Sequence, residues 1–109
     1  MTDMASESSG PADLDAVIDD EMTATDVKTL SAFGYETRYR LVRLLVEAEG
    51  GVNFDEITPY VSVSDSAVSH ALTLLSDAGL VRKEKDGRSR IYTPTRRAEA
   101  LVTALDGTR

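Results

Sequence analysis

"SDSAVSHALTLLSDAGLVRKEKDGRSRIYT", residues Ser64–Thr93, sets a one-sided helix directly before a basic hairpin. At 100° per residue from Ser66, the residues Ser66, Ser69, His70, Thr73, Ser76 and Asp77 share an arc of roughly 120°. Ala67, Val68, Ala71, Leu72, Leu74 and Leu75 fill the other side. Burying the apolar side leaves a narrow face of small polar groups, with the only histidine of the chain, looking outward. Ser64 is a natural N-cap and Gly79 a natural stop. "LVRKEK" and "RSRIYT" then read as short strands about Asp86-Gly87, a strong two-residue hairpin signal.

Upstream, "NFDEI" reads as a capping box, with Asn53 at the cap and Glu56 three residues on. Pro59 does not fit a helix interior, so this helix is either very short or restarts at Thr58-Pro59. "VSVS" makes the turn into the Ser64 helix. Before it, "ETRYRLVRLLVEAEGG" spaces Leu41, Leu44, Leu45 and Ala48 as one helical face and ends at Gly50-Gly51. Val27, Leu30 and Phe33 trace an earlier helix that begins near Asp26 and stops at Gly34. After the hairpin, Thr93 is expected to cap and Pro94 to open a last helix with the stripe Ala98, Leu101, Val102 and Leu105. The expected fold is mainly α with a small β-hairpin, in the order α-α-α-α-β-β-α: a helix-turn-helix followed by a wing.

That arrangement points to DNA. Ser64, Ser66, Ser69, His70 and Thr73 are short or planar, so the backbone can approach closely. Their side chains can donate to or accept from phosphates and base edges. The open helix start at Asp65-Ser66 can receive a phosphate, although Asp65 itself opposes one. Arg82, Lys83, Lys85, Arg88 and Arg90 place five of the chain's 12 bases within the wing, where the tip Gly87-Arg88 can reach a minor groove or flanking phosphates. Arg38 and Arg40 are weaker phosphate candidates, with intramolecular ion pairs as the alternative. The bland readings are a solvated helix face and an edge strand protected by charge.

The 109 residues carry a net charge of −7, which taken whole argues against nucleic acid. The distribution reverses that impression. Residues 1–26 hold 8 of the 19 acids and no Lys or Arg, which leaves 11 acids against 12 bases in the rest. The expected division is an acidic, largely disordered leader, residues 1–25, and a winged-helix domain, residues 26–109. Within the leader, Leu14, Val17 and Ile18 sit at helical spacing. Arg outnumbers Lys and Asp is abundant, a mix suited to a salt-rich cell interior. Cysteine is absent, which excludes disulfides, thiolate metal sites and cysteine nucleophiles. No apolar run is long enough to span a membrane, and the acidic start is unlike a signal peptide, so a cytoplasmic location is expected. A Gly-rich phosphate loop and a His-carboxylate cluster are both missing, so an enzyme is not expected.

"GYETRYRLVRLL", "S-x-S-A-V-S-H-x-L", "L-x-x-A-G-L-V" and "G-R-x-x-x-Y", in this order, resemble the ArsR/SmtB group of winged-helix repressors across residues 27–107. The resemblance implies a homodimer formed through the first and last helices, here Val27 and Leu30 with Ala98, Leu101, Val102 and Leu105. It also implies double-stranded operator DNA of inverted-repeat form, read through the helix that holds Ser64, Ser66, Ser69 and His70. Two departures stand out. Relatives that sense metals use cysteines on the third helix, where "GVNFDEITPYV" has no thiol. Others bind zinc with Asp, Glu and His on the last helix, where "TPTRRAEALVTALDG" has no His. No metal or cofactor is therefore expected. The rivals are a winged-helix protein-interaction module that has lost DNA, and an anti-repressor-like regulator whose acidic leader competes for its own reading head.

Overall fold

The structure, a computed structural model, describes Leu14 and residues 17–109. The elements run α1 (Asp20–Phe33), α2 (Glu36–Ala48), β1 (Val52–Asn53), α3 (Phe54–Ile57), a 3-10 turn (Thr58–Tyr60), α4 (Asp65–Asp77), β2 (Val81–Asp86), β3 (Ser89–Pro94) and α5 (Arg96–Gly107). The expected winged helix-turn-helix order is present, with one addition. The dipeptide Val52–Asn53 pairs antiparallel with β3, so the hairpin becomes a three-stranded sheet ordered β1-β3-β2. Glycine at position 51 permits the close approach, because a Cβ there would collide with Cγ2 of Ile91.

The core is the sum of the apolar stripes. Leu41 and Leu45 of α2, Ile57 of α3, Val68, Leu72 and Leu75 of α4, Leu80, and Val102 of α5 are all buried. Each such side chain contributes about 1.5–3 kcal/mol relative to exposure. The capping box opens α3: Asn53 Oδ1 accepts from the Asp55 N–H at 2.8 Å, and the Asn53 N–H donates to Glu56 Oε1 at 2.9 Å. Pro59 is accommodated by both expected routes at once. The α-helix lasts 4 residues and the chain continues as a 3-10 turn. α4 ends in a Schellman motif: Gly79 at φ +76 donates to the Ser76 carbonyl, and Leu80 donates to that of Leu75.

Three boundaries differ from expectation. α1 begins at Asp20, so a domain boundary at residue 26 falls inside the helix. Asp19 caps it by accepting from the Glu21 and Met22 N–H groups, and Asp20 and Glu21 sit at the positive end of the helix dipole. Most of the leader lies outside the described residues. Within it, Leu14 is helical and its carbonyl accepts from the Ile18 N–H at 3.0 Å. At the other end, Thr93 and Pro94 finish β3, and the cap of α5 is Thr95. Thr95 wins because it is tied down three ways: its Oγ1 accepts from Ala98 and donates to the Gly79 carbonyl at 2.7 Å, and its N–H donates to the Leu80 carbonyl. The third difference is the hairpin loop, which is Gly87-Arg88, closed by the pair Asp86↔Ser89. Positive φ at Gly87 alone is the sign pattern of a type II′ turn.

Candidate nucleic-acid interface

α3, the 3-10 turn and α4 make the helix-turn-helix. The buried Val68, Ala71, Leu72 and Leu75 seat α4 against α1, α2 and β2. Ser64, Ser66, His70 and Thr73 are exposed, and Ser69 is half-buried at the edge of the same face. Ser64 Oγ accepts from the Ala67 N–H at 3.2 Å and lies 3.4 Å from Ser66 Oγ, so Ser64 is first a helix cap. The Thr73 hydroxyl donates to the Ser69 carbonyl at 3.0 Å, which leaves only its lone pairs facing outward. His70 makes no side-chain hydrogen bond among the described residues. Ala67, assigned by the helical wheel to the buried side, is exposed instead. The first turn of α4 projects beyond the core, and that widens the outward face by one small residue.

The wing register sorts the cations onto two faces. Lys83 pairs with Tyr92 and Lys85 with Arg90, while Arg82 pairs with Thr93, Glu84 with Ile91 and Asp86 with Ser89. Directly opposed residues share a face. Lys83, Lys85 and Arg90 therefore lie on one face, and Arg82 lies on the other with Glu84 and Asp86. The guanidinium of Arg90 is 4.4 Å from the centroid of the Phe54 ring, against the body of the domain. Arg82, Lys83, Lys85 and Arg88 are exposed, and none of the wing cations is in an ion pair among the described residues.

Arg38 is engaged within its own protomer. Its Nε donates to the Ala32 carbonyl at 2.7 Å and its Nη2 to that of Ser31, capping α1, while the guanidinium lies 4.1 Å from the Tyr35 ring centroid. Arg40 is in an exposed i,i+4 pair with Glu36 at 2.9 Å, the alternative the sequence left open.

Two of the six expected dimer residues are also corrected. Ala98 and Val102 are 0% and 2% exposed, consumed by the protomer's own core because α5 turns these two positions inward. Val27, Leu30 and Leu105 remain exposed, and Leu101 is half-buried. Between α1 and α5 runs a cavity of about 490 Å³ lined by Asp26, Thr29, Leu30, Arg97, Ala100 and Leu101. Arg97 closes its rim, with Nη1 3.4 Å from both Asp26 Oδ1 and Thr29 Oγ1. The pattern of the sequence did not bring out this cluster, since nothing local links residues 26, 29 and 97. No grouping of three or more metal-ligating side chains occurs among the described residues, and no helix there is long and apolar enough to cross a membrane.

Comparison with known proteins gives the family. Residues 36–83 match the model of bacterial regulatory proteins of the arsR family. A Halobacterium salinarum protein named as the arsenical resistance operon repressor ArsR is 44% identical over 97 residues, covering 89% of this chain and 75% of the relative. The chain belongs to the arsR family. HlyU from Vibrio cholerae superposes on it with a TM-score of 0.70 at 25% identity, over 80% of this chain and 94% of that one. The homodimeric winged helix-turn-helix DNA-binding domain of Mycobacterium bovis Mb0332 shares the fold, with a TM-score of 0.67 at 21% identity over 96% and 88% of the two chains. The arsR-family match runs from the start of α2 into β2, so it holds the whole helix-turn-helix. The distal wing, α1 and α5 lie outside it.

Proposed function

We propose that this chain is a cytoplasmic, homodimeric, sequence-specific DNA-binding repressor, with α4 in the major groove and the wing along the flanking backbone. One observation carries the reading: the exposed face of Ser66, His70 and Thr73 leads, through the turn at Gly79, directly into exposed wing cations that have no intramolecular partner among the described residues. The face supplies hydroxyl and imidazole groups for base edges, and the wing supplies charge for phosphates. The repressor name of the Halobacterium salinarum relative supports the same reading. A two-fold dimer through Val27, Leu30, Leu101 and Leu105 would present two copies of α4 to an inverted repeat, with half-sites about 34–36 Å apart.

An arsenical signal of the kind that relative's name suggests is not expected for this chain. These residues include no cysteine and one histidine. Capture of trivalent arsenic or another soft metal by thiolates is therefore closed to this chain.

The test is fluorescence anisotropy of the protein against its own upstream DNA and a scrambled duplex across a salt series. Tighter binding to the native duplex, with a salt slope equivalent to several phosphates, supports the proposal. Absent or equal binding to both at every salt overturns it in favour of a protein partner for the same surface.

A further inference from the structure

Near its tip, the wing meets the first helix of the helix-turn-helix through a cation. Arg90 sits on β3, the central strand, opposite Lys85 of β2. On its other side the β1 ladder ends at Asn53↔Ile91, so the next residue in register with Arg90 is Phe54, the first residue of α3. Phe54 is 9% exposed and belongs to the core, and the half-buried Arg90 lays its guanidinium 4.4 Å from the ring centroid. Two cations directly opposed on one face repel each other. Lys85 and Arg90 have no carboxylate on that face to separate them, since Glu84 and Asp86 point to the other. The aromatic face of Phe54 is the group present that can hold one of the two cations in place.

We infer that Arg90 is a positioning residue: by stacking on Phe54 it sets the angle between the wing and the helix-turn-helix, so that Lys83, Lys85 and Arg88 meet the backbone while α4 is in the groove. This assignment replaces the direct DNA contact that the basic run suggested for Arg90, and it rests on the DNA-binding reading above. A cation–π contact at a partly exposed site corresponds to roughly a two- to fivefold change in an equilibrium constant.

The experiment compares wild type, Arg90→Gln, Phe54→Leu and the double variant. It reads anisotropy titrations over a salt series, with hydrogen exchange of the hairpin amides in the free protein. The expected result is a similar several-fold loss of affinity in each single variant, no further loss in the double variant, and a salt slope equal to wild type throughout. A slope in Arg90→Gln lower by about one phosphate, with no affinity loss in Phe54→Leu, would make Arg90 a direct contact and overturn the inference. If Phe54→Leu fails to fold, the slope of Arg90→Gln decides alone. If wild type binds no DNA, the function proposed above fails, and hydrogen exchange still tests the stacking. Faster exchange at the hairpin amides in Arg90→Gln supports the stacking role, and unchanged exchange overturns it.

Discussion

At the residue scale, the outward face of α4 contains groups of unequal freedom. His70 is exposed with no side-chain partner among the described residues, and the Ser69 hydroxyl lies at the edge of the face. The Thr73 hydrogen is already committed to the Ser69 carbonyl. Replacing Ser69 or His70 by Ala should therefore relax discrimination between operator and scrambled DNA by about 1–3 kcal/mol per good base contact. Thr73→Ala should cost less. Competition titrations with single-base operator variants measure this directly, and full discrimination surviving both changes would move the reading head elsewhere. A separate ionic contact adds a small response to acid. Asp106 accepts from Arg43 at 2.7 Å and is 3.1 Å from Nη2 of Arg109. The Arg43 hydrogen bond, reinforced by Arg109, holds its carboxyl below the ordinary aspartate range and raises Arg43 in turn. A carboxyl depressed in the folded state stabilises the fold above its unfolded value of about 3.9, and that contribution is lost as pH falls below it. Asp106→Asn should thus lower Tm slightly at neutral pH, with the gap to wild type closing below roughly pH 3.9. A gap that persists undiminished into that acid range would mean that Asp106 acts through packing and not through its charge.

At the element scale, the wing is the part whose chemistry depends most on register. Arg82 shares its face with Glu84 and Asp86, whereas Lys83 and Lys85 share theirs with Arg90 and no acid. Neutralising Lys85 or the tip residue Arg88 should weaken binding to every sequence alike and reduce the salt slope by about 0.9 for each phosphate that is no longer neutralised. Arg82→Ala should change the slope less, because two carboxylates already offset its field. Salt-series titrations of the three single variants test the ranking, and an equal or larger change for Arg82 would reject the two-face account. Much of this was legible in the sequence. The one-sided α4, its Ser64 cap, the capping box at Asn53 and the hairpin all follow from spacing, and the spacing of Arg82, Glu84 and Asp86 in steps of two marks one strand face in any register. What spacing could not supply was long-range. A two-residue strand such as β1 has no period of its own and exists because glycine at position 51 lets the backbone close on Ile91. Thr93 and Thr95 are equivalent caps in sequence, and only the bonds of Thr95 to the turn at Gly79–Leu80 separate them. Likewise nothing near Arg38 announces that its guanidinium will cap the helix before it.

At the scale of the whole molecule, α1 and α5 carry exposed apolar groups that the protomer's own core does not use. Val27 at 54% exposure, Leu30 at 57% and Leu105 at 43% sit on the two helices that flank the α1–α5 cavity, while the rest of their stripes close the core. Exposed apolar side chains on these two helices are what the proposed dimer would bury. In a two-fold dimer the same surface meets itself, and each substitution acts twice. Leu30→Glu would place two like charges at that interface while leaving the protomer core untouched. It should give a folded monomer, with thermal unfolding close to that of a wild-type protomer and a sedimentation coefficient corresponding to half the mass. Loss of simultaneous engagement of two half-sites should then lower operator affinity on the order of 10²- to 10⁴-fold, whereas the affinity for a single half-site should hardly change. Sedimentation velocity and half-site titrations separate these effects. A Leu30→Glu protein that remains dimeric would place the interface elsewhere. A monomeric variant with undiminished operator affinity would mean that one protomer reads its site alone, and the two-fold symmetry expected of the operator would go with it.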